Sequence, residues 1–305
     1  MDHGAERSDG IASPAGVGVE HAEASARDAV AQRSDQAVLG ELTDDALTGA
    51  MRVWQRRRGH RYSLDDVATA WEAARARPDA CSYADLGCGI GSVLLMVAHK
   101  LPSDARIVGV EAQAQSFELA TRNVARNGEA LARRVRLFHG DLRAPELGET
   151  LEGPFELVTG TPPYLPPGSG SPSTDAQRTY ARLEMRGGVE DYLAAAARVL
   201  APSGRFVVCC DARRPERALE GGRAAGLVAV RRRDVIPRAG HKGALFTVWT
   251  FAHESTSEAP LVVEPPLVTR DEHGGRTEEA HALRRFFDLP VNEAEPPSPG
   301  KRGQR

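Results

Sequence analysis

Cysteine is scarce in this chain: four among 305 residues, Cys81, Cys88, Cys209 and Cys210, with no Cys-x-x-Cys pair. With no His/Cys cluster at zinc spacing either, neither a redox motif nor a structural zinc site is expected. Cys209 and Cys210 are neighbours inside an apolar run and read as small core residues. A reducing, cytoplasmic setting fits this usage. An apolar run of about 18 residues is missing, so no segment is expected to span a membrane. The start, "MDHGAERSDG", is polar and acidic and has no apolar stretch of a secretory signal. Positive charge is not in excess. The formal net charge is −3 and the isoelectric point about 6.3, so no global field attracts nucleic acid, and an RNA contact would need local basic patches. No internal repeat and no RNA-binding accessory domain is visible.

What is present suits a folded enzyme. Hydrophobic residues make up 41% of the chain, enough for a core, and charged residues 27%. Residues 1–38 are rich in Ala, Gly, Ser, Asp and Glu and are expected to be disordered, as is the Pro-rich, charged end "NEAEPPSPGKRGQR". Between them the expected organisation is an N-terminal extension of short strands and a helix (39–78), a main domain (79–253), and a C-terminal extension (254–305) with one helix.

Strands and helices alternate through the main domain. "SYADL", "ARIVGVE", "RVRLFHGD", "FELVTG" and "RFVVCC" read as strands. "GSVLLMVAHKL" is apolar nearly all round and reads as a buried helix. "SFELATRNVARNG" places Phe117, Ala120 and Val124 on one face and stops at Asn127-Gly128. "GVEDYLAAAARVLAPSG" carries Val189, Tyr192, Leu193, Ala196, Val199 and Leu200 on one stripe, ended by Pro202 and Gly204. "RPERALEGGRAAG" reads as a helix weakened by Gly221 and Gly222. "LVAVRRRDV" and "GALFTVWTF" come next with no helix between them, as an antiparallel pair. Upstream, "MRVWQRRRGHRYSLDD" reads as two short strands leading to a helix capped by Ser63 or Asp65. Downstream, "TEEAHALRRFFDL" reads as a helix packing Ala280, Leu283, Phe286 and Phe287. Alternation of this kind means α/β: a mostly parallel sheet with helices on both faces.

"DLGCGIGS" succeeds the first of these strands and opens a helix, where a glycine-rich binding turn belongs. Gly87, Gly89 and Gly91 allow close backbone approach. Ser92 occupies the place of the third glycine of a dinucleotide fingerprint, which argues against NAD. Asp85 at the turn repels a phosphate and suits a ligand with an amino group, such as S-adenosylmethionine. Glu111 ends the second strand, where an acid accepts both ribose hydroxyls. Asp141 ends the third strand and can accept an adenine amine. Ligands of open α/β sheets bind at such strand ends. A tight turn without ligand, a surface acid and a turn cap are the alternatives for the three motifs.

These motifs, with "GVEAQAQSFELATRNVARNG", "FHGDLR" and the Pro-Pro-Tyr loop, resemble the class I S-adenosylmethionine-dependent methyltransferases (EC 2.1.1.-). More narrowly they are similar to the bacterial tRNA(Val) adenine-N6 methyltransferases, over residues 55–251. "QRRRGHRYSLDD" and "ARLEMRGGVEDYLAAAARVLAPSGRFV" carry the same likeness. The resemblance implies a Rossmann-like seven-stranded sheet closed by the antiparallel hairpin. It implies that Asp85, Leu86, Gly87, Cys88, Gly89, Gly91, Glu111, Ala112, Asp141 and Leu142 hold the cofactor, with no metal. It also places an acid near the cofactor at Asp65, which could equally cap a helix.

"GTPPYLPPG", residues 160–168, comes directly after the fourth strand. In the family the loop reads Asn- or Asp-Pro-Pro-Tyr. Its first side chain and the next carbonyl accept hydrogen bonds from a target –NH2, and the aromatic stacks on the target plane. That is catalysis by positioning, with acceptors pre-set by stiff prolines. The resemblance therefore assigns Thr161, Pro162, Pro163 and Tyr164 to catalysis. Thr161 departs from the pattern: its hydroxyl is shorter and both donates and accepts. Three readings stay open: Pro162 carbonyl or a water as main acceptor, a different nucleophile, or cofactor binding without turnover.

Gln177, Arg178 and Arg182, with Glu184 and Arg186, form a polar cluster that could close over a substrate or simply be solvated. The basic clusters at 55–61 and 230–243 would contact RNA phosphates if both lie at the mouth; otherwise Arg231, Arg232 and Arg233 decorate an edge strand. His139 is expected to be packed rather than catalytic, and Trp54, Trp71 and Trp249 to be core or half-buried. The expected function is N-methylation of adenine in a tRNA-like RNA. The alternatives are a protein or small-molecule methyltransferase of the release-factor glutamine type and a silent binding module.

Overall fold

Neighbouring residues of one strand serve opposite faces of the central sheet, and this alternation organises the molecule. The computed structural model describes residues 39–169, 175–256 and 260–291. Residues 1–41 form one unit, of which only 39–41 are described; residues 42–305 form another, which holds the sheet and the site. The disorder expected of 1–38 and 292–305 lies outside the described residues, as does the start of "SPSTDAQ".

Strand β1 (Leu42–Thr48) pairs antiparallel with β2 (Met51–Arg56). The sequence pattern suggests two strands from residue 51 onward; the partner strand instead comes from upstream, within "LTDDALT". Asp44 and Asp45 hid it, since Asp is rare in strands. Here Asp44 is answered by Arg52 and Arg126, and Asp45 by Arg61. Helix α1 (Leu64–Ala76) starts after Ser63 as N-cap, with Asp66 Oδ2 accepting from the Ser63 N–H at 2.8 Å.

The chain then alternates: β3 (Ser82–Leu86), α2 (Ser92–Lys100), β4 (Arg106–Glu111), α3 (Ala114–Arg126), β5 (Val135–His139), β6 (Phe155–Gly160). After α4 (Ala176–Arg182) and α5 (Val189–Val199) come β7 (Leu200–Asp211), α6 (Pro215–Ala224), β8 (Leu227–Ile236) and β9 (Phe246–His253). The seven strands β3 to β9 lie in the order β5-β4-β3-β6-β7-β9-β8, parallel from β5 to β7 and antiparallel across β9. Tyr83, Ile107, Leu157, Val207, Cys209 and Val248 pack on one face with α1 and α2. The next residues, Ala84, Val108, Val158, Val208, Cys210 and Trp249, pack on the other with α5. Cys209 and Cys210 are thus core residues of opposite faces.

Two short strands, β10 (Val262–Val263) and β11 (Leu267–Val268), line the outer edge of β8. So β8 is not an edge strand, and its arginines neither decorate an edge nor present a free basic face. Arg231 pairs with Glu264, Arg232 with Asp234, and the buried Arg233 with Glu72 of α1 at 2.5 Å and Glu264 at 3.3 Å. Helix α7 (Glu278–Phe286) forms as expected, burying Ala280 and Leu283; Phe287, just past its end, is buried as well, and Phe286 is half-buried. Gly221 and Gly222 have a packing reason. A Cβ on Gly222 would lie 2.6 Å from the Phe251 ring and one on Gly221 3.0 Å from Leu193, so bare backbone lets α6 approach β9 and α5.

Candidate functional site

The register aligns the carboxyl ends of four parallel strands: Leu86 beside Val110 and Gly160, and Glu111 beside His139. Chain order reverses at β3, with β4 and β5 on one side and β6 and β7 on the other, which opens a crevice above the strand ends. An open cavity sits there, about 930 Å³ when the solvent at its mouth is counted.

The β3–α2 turn forms its floor. Gly87 has φ +64°, and a Cβ there would lie 2.2 Å from the Tyr192 hydroxyl oxygen. A Cβ on Gly160 would lie 2.6 Å from the same ring. Tyr192, which the sequence marks only as a core residue of α5, therefore props up both the glycine turn and the start of the Thr-Pro-Pro-Tyr loop. Gly89, at φ +56°, has open space where its Cβ would be. Cys88 also lines the cavity, its amide tied to Val110 O at 2.9 Å and its thiol pushed up by burial.

The acids differ sharply. Asp85 is 2% exposed and sits beneath the turn rather than in the cavity wall. Thr159 donates to its Oδ1 at 2.7 Å, with Tyr83 hydrogen-bonded to Thr159 in turn. Its Oδ2 is buried with no partner among the described residues. Burial, outweighing the Thr159 bond, pushes Asp85 up to about 7. Asp66 is 6% exposed, lines the cavity, and accepts from Ser63 N–H and from Ser92 Oγ at 3.2 Å. Burial, helped by the neighbouring Asp65, pushes it up to about 8. Neither Asp66 nor Asp85 makes an ion pair among the described residues. Two buried carboxyls with one orphaned oxygen and no cation fit a ligand that brings positive charge.

Glu111 lines the cavity with its oxygens bound to Gly89 N–H (2.9 Å) and Gln113 N–H (2.6 Å); burial raises its pKa. Each oxygen keeps a lone pair for a ligand hydroxyl. Asp141 is at the far end, held bidentate by Arg143 at 2.7 and 3.0 Å, and that guanidinium lowers its pKa. Ala112 and Leu142 line the wall nearby, while Leu86 is buried in the core below.

The loop divides. Thr161 and Pro163 face the cavity. Pro162 is buried against a second, smaller one, which Pro163 and Tyr164 also border. The Tyr164 ring lies parallel to Phe246 and its hydroxyl donates to Cys209 Sγ (3.0 Å) and to Asp65 Oδ2 (3.3 Å). The expectation that Tyr164 stacks on a target is corrected here: the ring is spent on the core and does not line the main cavity. Tyr180 of α4 and Tyr62 are the exposed-side aromatics that do. Asp65 likewise faces Ser63 and Tyr164, and its neighbour Asp66 is the acid in the wall.

Helix α4 covers one side of the cavity. The buried Gln177 does not face a substrate; it holds α4 down. Its Oε1 accepts from Arg56 Nη1 (3.3 Å) and the His60 N–H (3.2 Å), and its Nε2 donates to Ser116 Oγ (3.1 Å). Arg56 adds an ion pair to Asp175 at 2.8 Å. Arg178 and Arg182 are exposed and outside the wall; Arg186 is in it, bonded to Ala112 O at 3.1 Å and lying over the Tyr180 ring. His139 stacks on Phe117. Sequence reasoning missed His60, Asp66, Tyr180 and Tyr192. Asp66 was indistinguishable from Asp65 as a first-turn acid, and His60 stood out only as part of a basic cluster.

Residues 84–166 match a family model described as a methyltransferase domain. The chain is similar to the release factor glutamine methyltransferase of Geobacter sulfurreducens, 40% identical over 95 residues, or 31% of this chain and 30% of that protein. The release factor glutamine methyltransferase of Moorella thermoacetica is 32% identical over 182 residues, 56% of this chain and 61% of that one. The tRNA1(Val) (adenine(37)-N6)-methyltransferase of Actinobacillus pleuropneumoniae is 28% identical over 208 residues, 67% of this chain and 81% of that one. The chain thus spans about a third of the first relative's length and under two thirds of the second's. A crystal structure from Agrobacterium tumefaciens, titled a predicted O-methyltransferase, matches with TM-score 0.55 at 20% identity, covering 76% of this chain and all of that one, a likeness of fold.

Proposed function

Since the chain carries a class I S-adenosylmethionine-dependent methyltransferase domain, we propose that it methylates the exocyclic amino group of an adenine in a tRNA-like RNA. The observation that carries this reading is that Thr161 and Pro163 share one cavity with the glycine turn and Glu111. A methyl acceptor held at the loop therefore meets a donor held at the turn. S-adenosylmethionine, the donor of this family, supplies when bound an electrophilic methyl on a sulfonium.

The buried Asp66 and Asp85 answer the donor's ammonium, and Glu111 accepts from its ribose hydroxyls. Gly87, Cys88, Gly89 and Gly91 let backbone come close, and Ala112, Asp141 and Leu142 border its base. Leu86 acts from the core by fixing the turn. At the acceptor end the Thr161 hydroxyl and Pro162 carbonyl accept from the target –NH2, which leaves the nitrogen lone pair free to face the methyl. Tyr180 offers the aromatic face that Tyr164 does not. For an RNA acceptor, the exposed Arg57, Arg58, Arg178 and Arg182 lie on α4 and on the turn that Gln177 joins to it, and two thirds of the chain is similar to the tRNA relative.

The test is methyl-labelled S-adenosylmethionine with unmodified bulk tRNA, then digestion and mass spectrometry. Labelled N6-methyladenosine is the expected product, with turnover falling steeply as salt rises. Label on a release factor instead would favour the glutamine-amide reading, which the 40% identity over 95 residues supports. Cofactor binding with label on neither would favour the silent module. Thr161→Asn restores the family acceptor and is expected to raise turnover on an –NH2 target.

A further inference from the structure

Methyl transfer to an amine releases a proton, and neither the loop nor the cofactor-binding groups can keep it. When the acceptor nitrogen forms its N–CH3 bond, the S–CH3 bond breaks and its electron pair stays on sulfur. The nitrogen then carries the positive charge and must shed a proton. Thr161 and Pro162 accept hydrogen bonds but do not hold a proton at neutral pH. Glu111 is tied to two backbone amides, Asp141 to Arg143, and the Tyr62 phenol donates to Ala46 O and is pushed up by burial. Asp66 is assigned above to the donor's ammonium, and Asp85 lies beneath the turn, outside the cavity wall.

One further side chain of the cavity wall is a base. His60, between β2 and α1, lines the same cavity as Thr161 and Pro163. Its backbone is pinned by the 3.2 Å bond to Gln177, which α3 and Arg56 hold in turn. Its imidazole makes no hydrogen bond among the described residues. We propose that His60 is the proton acceptor of the methyl transfer, taking the proton from the methylated nitrogen onto its free ring nitrogen and passing it to water. This rests on the methyltransferase function proposed for the same cavity.

The charges around the ring agree. Burial holds the imidazole below its ordinary 6.5; Asp65 on α1 pulls it up and Arg178 on α4 pushes it down. Arg56 on β2, Arg57, Arg58, Arg61 and Tyr62 on the segment that carries His60, and Asp66 on α1 are the other titratable groups close by in sequence or through Gln177. The net direction leaves the ring unprotonated at neutral pH, ready to accept.

The test measures kcat, KM and pH dependence on unmodified bulk tRNA for the wild type, His60→Gln and His60→Ala, with S-adenosylmethionine affinity by calorimetry. Glutamine keeps polarity and size but cannot take a proton. The expected result is a loss of about 100-fold in kcat for His60→Gln, with KM and cofactor affinity within about twofold. The wild-type acid limb of kcat, taken at saturating S-adenosylmethionine so that the pH dependence of cofactor binding drops out, falls as pH drops below the ordinary histidine range and disappears in the variant. Added imidazole restores His60→Ala. A His60→Gln enzyme with wild-type kcat and an intact acid limb overturns this inference alone. A wild type silent on tRNA and release factor alike, though it binds cofactor, overturns the methyl-transfer reading and this inference with it. Lost cofactor affinity in both variants overturns it too, since it assigns His60 to the fold.

Discussion

At one end of the cavity Asp66 in the wall and Asp85 beneath the turn are buried with no cation beside them among the described residues, pushed up to about 8 and about 7. At the other, Asp141 is half-buried and clasped by Arg143, which lowers its pKa. Asp66 lies in the first turn of α1, Asp85 at the end of β3 and Asp141 two residues past the end of β5, and from the sequence Asp85 and Asp141 look alike. The difference is that, among the described residues, a cation is paired with Asp141 and none with the other two. An uncompensated buried carboxyl is costly in the empty protein, and a bound cation relieves that cost. Ligand recognition is thus expected to be charge-driven near the turn and to depend more on shape and hydrogen bonding near Asp141.

The severest way to break this comparison is to remove the turn itself. Gly87→Ala puts a methyl group into the Tyr192 hydroxyl and forces an alanine to φ +64°. Strain and overpacking together are expected to cost about 2–5 kcal/mol of stability, read by urea unfolding, and to abolish cofactor binding. Retained affinity would show that the turn is not the binding floor.

Asp66→Asn keeps the shape and deletes the charge. A charge-assisted hydrogen bond is worth about 1.5–3 kcal/mol, so S-adenosylmethionine affinity is expected to drop by about 10- to 100-fold in calorimetry. In the wild type, affinity should rise from about pH 6 to pH 8 as a carboxyl at about 8 ionises. The stability of the ligand-free protein should move the other way. A raised carboxyl binds a proton in the folded state that the unfolded chain has released, so its contribution fades as pH climbs from the ordinary carboxylate range toward 8. The variant should lose the share of both slopes that Asp66 contributes up to pH 8 and keep the share of Asp85, which is raised to about 7.

Gln177→Ala asks whether the contrast needs the cover over the cavity. Losing the bonds to Arg56, His60 and Ser116 is expected to cost about 1–3 kcal/mol locally, seen as faster hydrogen exchange across Ala176–Arg182 with the sheet unchanged. The smallest effect belongs to Arg143→Ala. This pair is exposed enough that about 1 kcal/mol or less is at stake. Asp141 should return toward its ordinary value, and because its folded pKa is lowered, the lost stability should be seen above that value and vanish in acid. Cofactor affinity is expected to change less than about threefold; a fall as large as that of Asp66→Asn would erase the difference between the ends.

Much of the site is legible in the sequence because it is local. Strand β3 ending at Asp85, three glycines before α2, and an acid at the end of β4 are set by short-range pattern and backbone freedom. The Pro-Pro loop is legible as rigid, but not which way its tyrosine points. Tyr164 turns inward because Phe246 and Cys209, from strands 40 and more residues downstream, offer it a buried face. Strand β1 escapes sequence reading because its acids look like loop until arginines from three other places meet them. The β8 arginines look like surface residues because Glu72 and Glu264 come from distant elements.

By itself the sequence determined the alternation of strands and helices, the glycine turn and the acids beside it. These depend on side-chain periodicity and on φ values open to glycine, both properties of a few adjacent residues. Only the tertiary structure decided which acids lack a cation, that Asp66 rather than Asp65 enters the cavity, that Tyr192 supports two glycines at once, and that His60 faces Thr161's cavity. Burial and charge balance are sums over residues far apart in the chain, and no local stretch contains them.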